Sequence, residues 1–156
     1  MESIATIATI GYEGATVADF LEALTAHGVE LLVDIRAVAS SRRPGFAKTA
    51  LSANLEGAGI AYLHYRGLGT PADGRAAARS GKHDEMKRIF RAHLATQVAR
   101  EQLHAVAELV HAGRRIALMC FEADAAHCHR SLVADALAAQ FPLQVTNLMA
   151  LDPFAE

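Results

Sequence analysis

The chain has 156 residues, a formal net charge of −2, 52% apolar residues (33 of the residues are alanine) and two cysteines. That is enough for one domain over residues 1–156 around one core, with no apolar run near the roughly 20 residues a membrane helix needs and no secretory pattern in Met1-Glu2-Ser3-Ile4. Disordered, collagenous, membrane-spanning and disulfide-stapled classes are excluded, and a cytoplasmic protein is expected.

Ile4–Ile10 places β-branched residues between Ala and Thr and ends at Gly11, which reads as a first strand. Thr16-Val17-Ala18-Asp19 has the spacing of a capping box and opens a helix. Val17, Phe20, Leu21 and Leu24 form its apolar stripe, and Gly28 is its stop. Leu31–Ile35 is nearly all apolar, as a parallel strand buried on both faces should be. Residues 36–46 lack periodicity and read as a loop, followed by a short helix from Ala47 to about Glu56 and a strand over Ile60–Tyr65. Arg66–Gly81 carries Gly67, Gly69, Pro71 and Gly74 and is read as a loop with at most a helical turn near Ala76–Ala78. Asp84–Ala112 is helical, as one helix or two, and Gly113 closes it. Arg115–Cys120 is a strand, His129–Gln140 a helix and Leu143–Leu148 a final strand. Alternating strands and helices imply βαβ units. The expected fold is α/β, a single mostly parallel sheet of about five strands with helices on both faces, in a Rossmann-like three-layer sandwich.

Ligands of open parallel sheets bind beyond the carboxyl ends of the strands, so the residues that follow each strand matter most. They are Gly11-Tyr12-Glu13-Gly14, Arg36 with Ser40-Ser41-Arg42-Arg43-Pro44-Gly45-Phe46, His64-Tyr65-Arg66, and Cys120-Phe121-Glu122 followed by Cys128-His129-Arg130-Ser131. Residues 36–91 also hold eleven Lys/Arg against four Asp/Glu, which suggests a basic surface and an anionic partner: nucleotide, nucleic acid or phosphorylated metabolite.

These motifs, with Val33-Asp34-Ile35-Arg36 and Leu68-Gly69, resemble the bacterial and archaeal family catalogued as domain of unknown function 488, over about Ile7 to Leu137. The resemblance implies a Rossmann-like α/β domain and supplies no activity.

Cys128-His129-Arg130 opens a helix, where free N–H groups and about half a positive charge favour anions. His129, Arg130 and Ser131 are therefore anion-binding candidates, with Tyr12, Arg36, Arg42 and Arg43. Arg130 is equally readable as the partner of Glu122 or Asp34. A helix N-terminus also lowers a thiol's pKa, so Cys128 is either a reactive thiolate or a small buried hydrophobe. Glu122 and Glu13 at strand ends are candidate acid/base groups or partners for arginine, and His64 is a third acid/base candidate. Asp34, within its strand, reads as structural.

His127-Cys128-His129 and Cys120 are weighed as metal ligands, but three consecutive residues point in different directions and lack the spaced pairs of a zinc site, so no metal site is expected. The remaining histidines, His27, His83, His93, His104 and His111, read as surface residues. No G-x-G-x-x-G, P-loop or G-x-S-x-G pattern occurs, and no cofactor is expected. The leading expectation is an enzyme that cleaves or transfers a bond in a phosphate-bearing substrate such as nucleic acid or nucleotide. The alternatives are a non-catalytic nucleotide or nucleic-acid binder, and a sulfur-transfer or redox protein using Cys128 with Cys120.

Overall fold

The computed structural model describes residues 4–150. The first strand is β1 (Ala5–Gly11), and Thr16 caps α1 (Val17–Ala26) by accepting the Asp19 amide at 3.1 Å. Gly28 follows with φ 73°, the left-handed conformation that stops a helix. Then come β2 (Leu31–Asp34), buried at every residue, α2 (Lys48–Gly57) and β3 (Ala61–His64).

The segment expected to be loop from Arg66 to Gly81 holds a 3₁₀ turn (Arg66–Leu68) and a helix, α3 (Ala72–Arg79). Gly74 misleads as a loop signal because its role is packing. A Cβ there would stand 2.6 Å from Thr70 Cγ2 and 3.2 Å from Ile89 Cγ2, so its bare backbone lets α3 lie close against α4 (His83–Leu94). Thr96 separates α4 from α5 (Gln97–His111), capping the latter by accepting the Ala99 amide at 3.4 Å. After β4 (Ile116–Cys120) come a 3₁₀ turn (Ala125–His127), α6 (His129–Ala138) and β5 (Leu143–Met149).

All five strands are parallel, in the order β3-β2-β4-β1-β5. The registers Gly11↔Cys120, Asp34↔Met119 and Asp34↔His64 bring the carboxyl ends of four strands level. Side-chain alternation feeds two cores. Leu32, Ala8, Ile10, Ala117 and Met119 pack against Phe20 and Leu24 of α1 and Leu51 and Leu55 of α2. Ile7, Leu31, Val33, Ile116 and Leu118 pack on the other face against residues of α3 to α6, among them Met86, Phe90, Val106 and Val133. The structure is thus the three-layer α/β fold expected. Connections running toward β3 place α1 and α2 on one face, and those running back toward β5 use the other. The direction reverses between the neighbours β1 and β4, the kind of place where α/β sheets open a ligand crevice. No helix among the described residues is long and apolar enough to cross a membrane.

Candidate functional site

The loops after β1 and β4 are joined directly. The Glu13 amide donates to the Phe121 carbonyl at 2.8 Å, and Glu13 Oε1 accepts the Ala123 amide at 3.1 Å. Gly11 makes this possible, since a Cβ on it would overlap the Glu122 carbonyl group and stand 2.8 Å from Arg130 Nη1. The Tyr12 ring is buried, stacked on Phe46 at 4.7 Å and meeting Phe121 edge-on at 5.4 Å. Phe121 itself is 46% exposed.

Arg36 turns inward. Its Nη2 lies 2.8 Å from Asp34 Oδ2, Nε donates to both Asp34 oxygens, and Nη1 donates to the Phe46 carbonyl at 2.7 Å and the Tyr12 hydroxyl at 3.3 Å. Burial pulls its pKa down, but the Asp34 carboxylate more than offsets that and the guanidinium stays charged. Asp34 also accepts the Tyr62 hydroxyl at 2.6 Å, which, with burial, raises that phenol's pKa well above its ordinary value. Asp34 is therefore structural, as its position in β2 suggests. His64 Nε2 sits 2.7 Å from the Arg36 carbonyl, and Arg43 Nε donates to the Ala15 carbonyl. Arg42 is exposed. His64, Arg42 and Arg43 brace or border the loop after β2 and do not line the cleft.

Arg130 lies below the site, fully buried. Nε donates to Thr9 Oγ1 at 3.1 Å, Nη1 to Cys120 Sγ at 3.1 Å and to the Glu122 carbonyl, and Nη2 to the Ala123 carbonyl at 3.0 Å. No carboxylate among the described residues forms an ion pair with it. Burial pushes its pKa down to about 10, while Glu122 and Asp124 oppose that shift. Its donors are thus spent shaping the loop after β4, which makes Arg130 a scaffold rather than an open anion fork. Ser131 Oγ donates to the Cys128 carbonyl at 2.9 Å and is likewise local.

His129 is buried with Nε2 2.7 Å from the Ile35 carbonyl and Nδ1 3.7 Å from Cys128 Sγ. Burial pushes its pKa down to about 4. Cys120 and Cys128 are joined through their sulfurs as a disulfide, with Cα atoms 7.1 Å apart. One ligand atom from each of Cys120, Cys128 and His129 lies within 4.8 Å of the others. Of the four residues weighed for metal in sequence, Cys120, Cys128 and His129 converge and His127 does not. Cys128 is an extended helix cap (φ −121°, ψ 148°), and His129 begins α6, so the two side chains converge.

Above these groups opens a cleft of about 580 Å³ lined by Tyr12, Glu13, Arg36, Cys120, Glu122 and His129. Cys120 Sγ lies 3.6 Å from Glu122 Oε2. Burial, with a further contribution from Glu13, raises the Glu122 carboxyl pKa, although Arg130 pulls it the other way. Two further cationic side chains that the sequence reading did not single out, Arg75 and Arg79, also line the cleft. Arg75 and Arg79 stand one turn apart on α3, a spacing legible only once that helix is recognised. His83 is a correction to the sequence reading. Far from being a plain surface residue, it lines the cleft, and its ring stacks on His127 at 4.4 Å. His93 is also engaged, with Nε2 2.7 Å from the Gly67 carbonyl.

No curated protein and no solved structure matches the chain. A family model described as Domain of unknown function DUF488 matches residues 16–137, which span α1 to α6 and most of the cleft, and the chain belongs to that family.

Proposed function

We propose that the protein is an enzyme that cleaves or transfers a bond in a small phosphate-bearing substrate of nucleotide size. The observation that carries this reading is that Arg75, Arg79 and the Glu122 carboxyl share one cleft at the carboxyl ends of β1 and β4. Its volume suits a drug- or nucleotide-sized ligand. Arg75 Nη1 is oriented by the Thr70 carbonyl at 2.8 Å, and its remaining N–H groups, with the exposed Arg79, suit phosphate oxygens. Phe121 offers a ring face for a base. Glu122 is the acid/base group. The cationic role moves from Arg130, whose donors are occupied, to the α3 pair.

The test is a thermal-shift panel of nucleoside mono- and diphosphates, cyclic nucleotides and sugar phosphates, followed by turnover assays with p-nitrophenyl phosphate and bis-p-nitrophenyl phosphate. Support would be a stabilising ligand whose affinity falls about tenfold, ~1.4 kcal/mol, in Arg79→Ala, together with turnover abolished in Glu122→Gln while binding persists. If Glu122→Gln leaves every measured property intact, the protein is a binding module. If no phosphate compound stabilises it, the substrate class is wrong.

A further inference from the structure

We propose that Cys120, Cys128 and His129 form a divalent transition-metal site of zinc type, with its fourth position open to the cleft beside Glu122. This stands on the geometry of the two sulfurs and the imidazole, and is independent of the substrate class proposed above.

The imidazole is already set as a ligand. A backbone carbonyl only accepts, so the 2.7 Å contact with Ile35 puts the ring proton on Nε2. That leaves the Nδ1 lone pair directed at the sulfurs, 3.7 Å from Cys128 Sγ. Metal-binding histidines commonly donate their second N–H to a carbonyl in this way, which fixes both tautomer and ring orientation. The sulfur side is equally prepared. Arg130 Nη1 donates to Cys120 Sγ at 3.1 Å, an interaction that favours the sulfur as thiolate.

Two thiols this close have two fates, a disulfide or a shared ion. Disulfides span Cα separations of roughly 4.4–6.8 Å, and the 7.1 Å between Cys120 and Cys128 lies outside that range. Two thiolates on one tetrahedral zinc, each at about 2.3 Å, sit nearly 4 Å apart, so reduction and entry of the ion move the two sulfurs out of bonding distance. A disulfide would also leave the preset Nδ1 lone pair without a function. Thiolate and imidazole ligands together select zinc-like ions over magnesium or calcium.

Three protein ligands are the number found in catalytic zinc sites, which keep one position for water or substrate. Here Cys120 and His129 line the cleft, and Glu122 Oε2 is 3.6 Å from Cys120 Sγ. The disulfide first takes two electrons and two protons from a thiol reductant. From the dithiol, binding transfers no electrons: each thiol gives its proton to solvent, two sulfur–metal bonds and one nitrogen–metal bond form, and the fourth position takes water or the Glu122 carboxylate.

The test is elemental analysis of the full chain purified without chelator, followed by removal of metal under reducing conditions and titration with Zn²⁺ or Co²⁺. The expected result is a single equivalent of metal, with a near-ultraviolet thiolate-to-cobalt band and the visible bands of a tetrahedral centre. Cys120→Ser and Cys128→Ser should each lose the charge-transfer intensity, while Glu122→Gln should keep it with altered visible bands. The wild-type titration needs no variant to fold. The proposal is overturned if the reduced chain takes up neither ion, if intact mass shows a disulfide and reduction exposes no metal affinity, or if bound metal is indifferent to both serine variants. A loaded site without phosphate-ester turnover would sink the substrate reading and leave this one standing.

Discussion

Gly11 and Glu122 are in direct contact across the ends of β1 and β4, where a Cβ on the glycine would overlap the carbonyl group of the glutamate. The same carbonyl accepts Arg130 Nη1, so one backbone oxygen ties together two loops and the first turn of α6.

Gly11→Ala therefore separates those loops or displaces Arg130. Because the clash is with backbone, relief is poor, and the expected loss is about 3 kcal/mol or more of unfolding free energy. Urea denaturation of the variant against the parent measures it. A change below ~0.5 kcal/mol would show that the contact is looser than described.

Arg130→Lys should be strongly destabilising although it keeps the charge. An ammonium cannot reach Thr9, Cys120 and the carbonyls of Glu122 and Ala123 together. Leaving buried acceptors unmet costs on the order of 1–3 kcal/mol each, so a midpoint shift equivalent to at least ~2 kcal/mol is expected.

Acid stability should depend on His129. Its pKa in the fold is about 4 against an ordinary 6.5, so the unfolded chain takes up the proton first. Stability is full above about pH 6.5, declines below it, and this contribution is lost by about pH 4, roughly 3 kcal/mol in all. Denaturation at a series of pH values, with chelator and reductant present, should show the decline. His129→Gln should flatten it.

Alkaline titration should single out Tyr62. Burial and its bond to Asp34 hold the phenol protonated above its ordinary pKa of 10. A raised folded pKa adds stability below that ordinary value and loses it as pH climbs past it. Phenolate absorbance should reveal a tyrosine that ionises late or only on unfolding, and Tyr62→Phe should remove that step. Loss of the bond to Asp34 should cost about 1–2 kcal/mol.

The layered fold was legible because its signals are local: alternation in β1, a nearly all-apolar β2 and the Thr16 cap. Strand order was not, because the pairing of β1 with β4 and β5 leaves no mark on any one segment. At the site, the convergence of Tyr12, Glu13, Arg36, Glu122 and His129 followed from strand-end position alone. Side-chain direction did not. Arg36 and Arg130 look like anion forks in sequence and face inward in the fold, since only tertiary contacts reveal the carbonyls of Phe46, Glu122 and Ala123 as acceptors. The α3 arginines were obscured by Gly74, whose packing against Ile89 is also a long-range fact.

The position of β1 between β4 and β5 also bears on how the chain is made. β1 is made before both its neighbours, Ile116–Cys120 and Leu143–Met149, which lie far later in the sequence. Such distant pairing slows folding. β2 and β3 can zip early, while Ile7 and Ile10 stay without lateral partners until β4 and β5 have been made, so the β4-β1-β5 side of the sheet is its last part to close.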